Sequence, residues 1–234
     1  MSVAALVLAA GRGERLGSPL PKAFVPLAGT PLLLHTLAAL ASVPEIDLVV
    51  PVVAAADRER LHALASALAR IPKLVPAVTG GVERQDSMRA GLAALGPEVS
   101  LVAVHDAARP FVRAADVARV LAAAREVGAA LLAVPVTDTI KRVREGRVIE
   151  TPERTTCWAA QTPQAFRTEV LQEALAKATA AGVVVTDDVQ LVERLGLPVA
   201  VVEGDPGNVK ITGPQDLVAA EARLARRGGH GESR

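Results

Sequence analysis

Apolar residues run in short unbroken blocks along this chain: "VAALVL" (3–8), "DLVVPVV" (47–53), "KLVPAV" (73–78), "SLVAV" (100–104) and "AALLAVPV" (129–136). Between the blocks, at 31–41, 57–70, 83–95 and 114–127, apolar residues recur at three- and four-residue spacing. In "DRERLHALASALAR", Leu61, Leu64, Ala65 and Leu68 form one such stripe. Blocks apolar on both faces read as strands of a parallel sheet, and the spaced stretches as amphipathic helices that cover it. Their alternation predicts an α/β fold of three layers, αβα, around a mostly parallel sheet. Ligands then gather in the crevice at the carboxyl ends of the strands.

The rhythm breaks after Val136. "TIKRV", "REG" and "RVIETP" read as two strands around a turn at Glu145-Gly146, a projecting hairpin with charges at alternate positions. Helical spacing returns at 168–181, followed by "VVVTDDVQLVERLG", the run "PVAVVEG", and a last strand in "NVKIT". Pro214 and Asp216 suit the first turn of a final helix. The chain has no internal repeat and no linker. One domain over 1–226 is expected, with an arm at about 139–160 and a loose tail at 227–234.

Composition narrows the class. In 234 residues, half are apolar, mostly aliphatic, with Phe24, Phe111, Phe166 and Trp158 as the only aromatics. The 26 basic and 25 acidic residues leave a net charge of +1, which gives bulk charge no part in binding nucleic acid. Cys157 is alone, so no disulfide framework or cysteine zinc cluster forms. The apolar start has no basic segment before it and meets glycine and charge too early for a membrane span. A cytoplasmic protein without membrane or nucleic-acid partners is expected.

Charge matters locally instead. "LAAGRGERLG" follows the first strand, and Gly11, Gly13 and Gly17 match neither the dinucleotide fingerprint nor a Walker loop. Gly11 and Gly13 allow backbone amides to turn toward an anion, while Arg12, Arg15 and Lys22 bring charge. That set suits a triphosphate; a glycine turn with solvated arginines is the alternative. Gly81 and Ser87 in "TGGVERQDSMRAGL" stand at a helix start, where the serine either donates to a ligand or lies on the helix surface. In "VAVHDAARPF" a strand runs into His105, Asp106 and Arg109. Asp106 is a candidate metal ligand, Arg109 a candidate for a second phosphate, and His105 is expected to hydrogen-bond across the turn. His35, His62, His105 and His230 have no metal-ligand spacing. Lys210, in the last strand, needs a partner or a ligand phosphate.

Taken together, "LAAGRGERLG…PLPKAF", "GGVERQDSMRAGL", "VHDAARPF", "PVTDTIKRV", "WAAQTPQAF", "TDDVQLVERLG" and "EGDPGNVKITGPQDL" resemble the 2-C-methyl-D-erythritol 4-phosphate cytidylyltransferase family of the non-mevalonate isoprenoid pathway. The resemblance runs from about Val3 to Ala225. It implies a Rossmann-like fold of the nucleotide-diphospho-sugar transferase type, and a reaction of CTP with the methylerythritol phosphate, assisted by magnesium, that releases pyrophosphate. By resemblance, Arg15, Lys22 and Lys210 are catalytic. Ala9, Ala10, Gly11, Arg12, Gly13, Gly81, Ser87 and Asp106 bind CTP. Asp106, Arg109, Thr139, Thr186 and Lys210 line the acceptor and metal region, and Arg154 and Thr162 reach the partner's site in a homodimer clasped through the arms. The chain departs from the family pattern at Ala23, after the lysine, and at Gly207.

The inventory suits that chemistry. A phosphate monoester has a second pKa of about 6 and arrives largely dianionic at pH 7, so it needs no general base. The obstacle is repulsion between two anions, which positive charge offsets. Two rivals remain at this point: a cytidylyltransferase for another polyol phosphate such as ribitol 5-phosphate, and a non-catalytic nucleotide-sensing domain. A nicotinamide-dependent oxidoreductase is disfavoured by the glycine spacing and by the lack of an acidic residue closing the second strand.

Overall fold

In the computed structural model, residues 2–11 and 13–228 are described. Strand β1 (Ser2–Leu8) enters the glycine loop, which continues through two short 3-10 turns at Glu14–Leu16 and Lys22–Phe24. A small ladder, β2 (Pro26–Leu27) with β3 (Thr30–Pro31), leads to α1 (Leu32–Ala41) and β4 (Leu48–Val53). Next come α2 (Arg58–Ala63), α3 (Ala65–Leu68), β5 (Val78–Thr79), α4 (Arg84–Ala93) and β6 (Val99–Asp106). They are followed by α5 (Ala114–Val127), β7 (Ala129–Pro135), and the hairpin β8 (Arg142–Arg144) and β9 (Arg147–Glu150). The chain closes with β10 (Trp158–Arg167), α6 (Thr168–Ala180), α7 (Val189–Glu193), β11 (Ala200–Glu203) and α8 (Pro214–Gly228).

Seven strands form one sheet in the order β11-β7-β10-β6-β1-β4-β5. Every neighbouring pair is parallel except the two that β10 makes, with β6 and β7. Because side chains alternate along a strand, β1 sends Val3, Ala5 and Val7 to one face and Ala4 and Leu6 to the other. On the first face they meet Leu33 and Leu37 of α1 and Val117, Val120 and Leu121 of α5. On the second they meet Met88 and Leu92 of α4 and Leu171 and Leu175 of α6. Burial on both faces is what the unbroken apolar blocks require. A third cluster ties the glycine loop to the last helix: Leu16, Leu27, Leu32, Phe111, Ile211 and Ala220.

Four expectations change. The "KLVPAV" run contributes only an isolated bridge between Val49 and Leu74 before the two-residue β5, since Pro76 lacks the N–H a ladder needs. The helix expected over 57–70 is broken at Leu64; Leu61, Leu64 and Leu68 pack on the core, but Ala65 is exposed. Lys210 lies in a loop between β11 and α8 and not in a strand. Trp158 to Ala160, expected as the end of the arm, instead open β10, inside the sheet. The hairpin itself stands as expected. Glu145 (φ 50°) and Gly146 (φ 74°) both take positive φ, the geometry of a two-residue turn that matches strand twist. The expected tail is helical through Gly228; its remaining residues, 229–234, and Arg12 of the glycine loop lie outside the described residues. Among the described residues, no helix is long and apolar enough to cross a membrane.

Candidate active site

Strands β1 and β6 run side by side and end together, with Leu8 opposite Asp106. The cleft above these ends has about 840 Å³ of open space. Ala9, Ala10, Gly11 and Gly13 form one wall, Gly81 and Ser87 a second, and Arg15, Lys22, Glu83, Arg84, Asp106 and Lys210 supply its charge. Residues from four separate stretches thus meet where an open α/β sheet places its ligands.

Gly13 explains how Lys22 is aimed. Its φ is +69°, and a Cβ there would overlap the Cβ of Lys22. The absence of a side chain lets the lysine stem lie against the loop backbone. Burial there, reinforced by the nearby charge of Lys210, brings the Lys22 ammonium down to about 8; Asp106 opposes that shift and Arg15 adds to it. The lysine therefore stands among other cations with too few anions to match. Such a deficit is what a polyanionic ligand would fill.

Asp106 is the anion at the centre. Arg84 Nη1 binds one carboxylate oxygen, and Lys210 Nζ sits 2.8 Å from the other. Burial alone pushes this carboxyl up, but Arg84 and Lys210 outweigh it and hold it well below the ordinary carboxylate range. Its backbone N–H donates to Thr162 Oγ1 at 3.0 Å, and that oxygen also pairs with His105 Nδ1 at 3.0 Å. The other ring nitrogen of His105 is 3.0 Å from the carbonyl of Arg109. His105 is thus fully buried and bonded across its turn, and burial lowers its pKa to about 4.

Thr162, Arg109, Thr139, Thr186 and Arg154 fall outside the cleft lining. Thr162 is 4 % exposed, inside β10, with its hydroxyl committed to Asp106 and His105, so it does not reach out to a partner subunit. Arg109 donates to the carbonyls of Asn208 (2.7 Å) and Ala160 (3.3 Å), which ties β6 to the loop carrying Lys210. Thr139 and Thr186 are exposed on the loops before the arm and before α7. Arg154, at the root of the arm, is exposed and donates to Thr137 O at 3.0 Å. Ser87 is nearly buried, with its hydroxyl 3.4 Å from Gly81 O. Arg84 is the cleft residue that sequence reasoning missed. It sits in a quoted motif, but nothing local distinguishes it from Arg89, which is paired with Asp86 on the surface of the same helix.

A sequence model described as IspD, 2-C-methyl-D-erythritol 4-phosphate cytidylyltransferase, matches residues 3–226. The chain belongs to that family. Among curated members, the protein of Desulforamulus reducens is 43% identical over 227 residues, covering 97% of each chain. That of Symbiobacterium thermophilum is 45% identical, covering 95% of this chain and 92% of its own. Two of the similar solved structures show how far the likeness extends. One is the 4-diphosphocytidyl-2C-methyl-D-erythritol synthase of Anaerococcus prevotii (TM-score 0.85, 32% identity, covering 96% of this chain and 99% of that one). The other is the 2-C-methyl-D-erythritol 4-phosphate cytidylyltransferase of Thermus thermophilus (TM-score 0.77, 41% identity, 97% and 100%).

Within this cytidylyltransferase the departure at Gly207 has a local account. The guanidinium of Arg223, from α8, occupies the space a side chain at 207 would need; it also lies 5.3 Å over the Phe111 ring and 3.6 Å from Asp205. Asp205 accepts the N–H of Gly207 at 2.7 Å, so the loop that carries Lys210 is held from outside by α8. Ala23, the other departure, is buried against the first-face core.

Proposed function

We propose that this protein transfers the cytidylyl group of CTP to 2-C-methyl-D-erythritol 4-phosphate, giving 4-diphosphocytidyl-2-C-methyl-D-erythritol and pyrophosphate, in the cytoplasm and as a homodimer. Family membership supports the substrates, and one feature of the cleft carries the mechanism: Lys22, crowded by Lys210 and Arg15 with its pKa lowered to about 8, is a cation short of anions. A triphosphate supplies them. Lys22 and Arg15 would hold the phosphates, and Lys210 would offset the charge that builds during attack. Ala9 to Gly13, Gly81 and Ser87 would read the cytidine, Gly13 and Gly81 allowing close approach of backbone N–H groups. Thr139 and Thr186, with Arg154 from the partner, would meet the acceptor, and Arg109 would hold the loop of Lys210 in place through its backbone contacts. The acceptor phosphate attacks the α-phosphorus, the bond to the β-phosphate oxygen breaks, and pyrophosphate leaves with that electron pair. No side chain takes a proton, which fits a His105 that is buried, neutral and turned away from the cleft.

The family implies magnesium. Among the described residues no group of three His, Cys, Asp or Glu side chains could cage an ion, but Mg²⁺ at phosphate sites is commonly held by one or two carboxylates with water and the substrate's own oxygens. Asp106 fits that part. When bound, the ion would neutralise phosphate charge and favour the departure of pyrophosphate.

The arm supports the dimer. Val143, Val148 and Ile149 on it and Trp158 beside it are all exposed, and a two-stranded ribbon is marginal in water without a surface to lie on. A two-fold partner offers the same surface in return. The test of function is pyrophosphate release from CTP and magnesium with each polyol phosphate. Release with the methylerythritol phosphate is expected; preference for ribitol 5-phosphate, or no turnover with either, overturns the reading.

A further inference from the structure

Asp106 is almost wholly buried, and two cations, Arg84 and Lys210, contact its carboxylate at hydrogen-bond distance, while Arg109 Nε stands farther off at 3.8 Å. The two are not alike. Lys210 stands on a loop, with two-fifths of its side chain exposed, and reaches the carboxylate from the cleft side. Arg84 is anchored from behind: its Nε and Nη2 donate to the two oxygens of Asp188, at 2.9 and 2.7 Å. Asp188 is 1 % exposed at the start of α7, which packs on the second-face core through Val189, Leu191 and Val192. The segment is fixed further by Gln164 of β10, whose Oε1 accepts the Val189 N–H at 3.0 Å and whose Nε2 binds Asp187. The Arg84 fork is thus committed to two carboxylates and has little left for a phosphate, although it lines the cleft.

We propose that Arg84 is the standing counter-ion of Asp106, a positioning residue that allows Lys210 to leave that carboxylate for the phosphates of the nucleotide. A buried carboxylate stripped of its last partner is strongly unfavourable. If Lys210 were its only hydrogen-bonded cation, each transfer of Lys210 to phosphate would leave Asp106 to the more distant Arg109 and to whatever ion the nucleotide brings, and nucleotide binding would bear that cost. With Arg84 held in place by Asp188, Asp106 stays paired throughout, and the loop lysine is free to move. The inference rests on the triphosphate reading of the cleft, but the ion-pair exchange has consequences without nucleotide.

The simple variant Arg84→Gln leaves Asp188 buried and unpaired and can fail to fold for that reason alone. The comparison is therefore between Asp188→Asn, which keeps Arg84 on Asp106, and Arg84→Gln/Asp188→Asn, which removes the buried pair together. Into each, Lys210→Ala is introduced and the urea midpoint measured. A small shift is expected where Arg84 remains, and a shift several times larger where it is absent, because Lys210 is then the last cation within hydrogen-bond distance of Asp106. Calorimetry with CTP and magnesium is expected to show a dissociation constant about tenfold higher, or more, for Arg84→Gln/Asp188→Asn than for Asp188→Asn. A purely structural Arg84 gives equal midpoint shifts in both backgrounds and equal affinities among the folded proteins, and either equality overturns the inference. Should wild type bind no CTP while the midpoint cycle is non-additive, the triphosphate reading falls and the pairing of Asp106 stands.

Discussion

At the scale of single residues, two titrations separate the roles of Lys22 and His105. Lys22 must be charged to hold phosphate, and burial with Lys210 nearby brings its pKa to about 8. The kcat/KM for CTP, measured against pH, is therefore expected to fall above about pH 8 in wild type, and Lys22→Arg to move that limb upward. Lys22→Ala or Arg15→Ala should lower kcat as well as raise KM, by about 2–4 kcal/mol of transition-state stabilisation; a rise in KM alone, in steady-state kinetics, would mean ground-state binding only. His105 behaves in the opposite sense. Its folded pKa, about 4, lies below the unfolded value near 6.5. Between these the unfolded chain binds the extra proton, so stability falls as pH drops through that window, by about 3 kcal/mol in all. Urea midpoints across that range are expected to show the loss in wild type and not in His105→Asn. The same variant should keep most of its activity per folded molecule; a thousandfold loss with fold and assembly intact would restore His105 as a catalyst.

At the scale of elements, the glycine loop and β10 are the instructive cases. The loop works because Gly13 is both left-handed and in contact with the Lys22 stem. Gly13→Ala is strained by its φ, at about 1–2 kcal/mol, and also drives Lys22 out of its place. Its kcat/KM for CTP is expected to fall about as far as that of Lys22→Ala, with the midpoint shifted by no more than the backbone strain. A variant with normal kinetics would show that the lysine finds its position without the close approach. The antiparallel β10 was not legible as a sheet strand, because Pro163 and the polar residues Gln161, Thr162 and Gln164 argue locally against a central position. The register shifts between Ala160 and Gln164, around Pro163, and each polar side chain finds a partner supplied by another part of the chain. Sequence shows the polar groups but not the partners.

At the scale of the molecule, the exposed apolar arm and the displaced Thr162 leave Arg154 as the candidate for action across a two-fold interface. Mixing inactive Arg154→Ala and Lys22→Ala proteins, once subunit exchange is established, tests it. If Arg154 serves the neighbouring subunit, a mixed dimer holds one site with both defects and one with neither, and activity returns. If it serves its own chain, every site keeps a defect and mixing restores nothing. A monomer of full activity in sedimentation would remove the dimer from the mechanism altogether.

Periodicity and motif spacing by themselves determined the layered α/β class, the hairpin with its Glu145-Gly146 turn and the final helix from Pro214, and they offered Gly13, Arg15, Lys22, Ser87, Asp106 and Lys210 as candidates, all of which line the cleft. Each of those depends on local chemistry: which faces are apolar, which turn needs positive φ, where a strand end meets charge. Only the tertiary structure decided that β10 runs antiparallel in the middle of the sheet, that Lys210 lies on a loop against Asp106, and that Thr162 and Arg109 serve the frame of the site. It also decided the part played by Arg84, whose two carboxylates lie 22 and 104 residues away along the chain. Pairings over such separations depend on how the elements pack, and neither spacing nor composition along one chain encodes them.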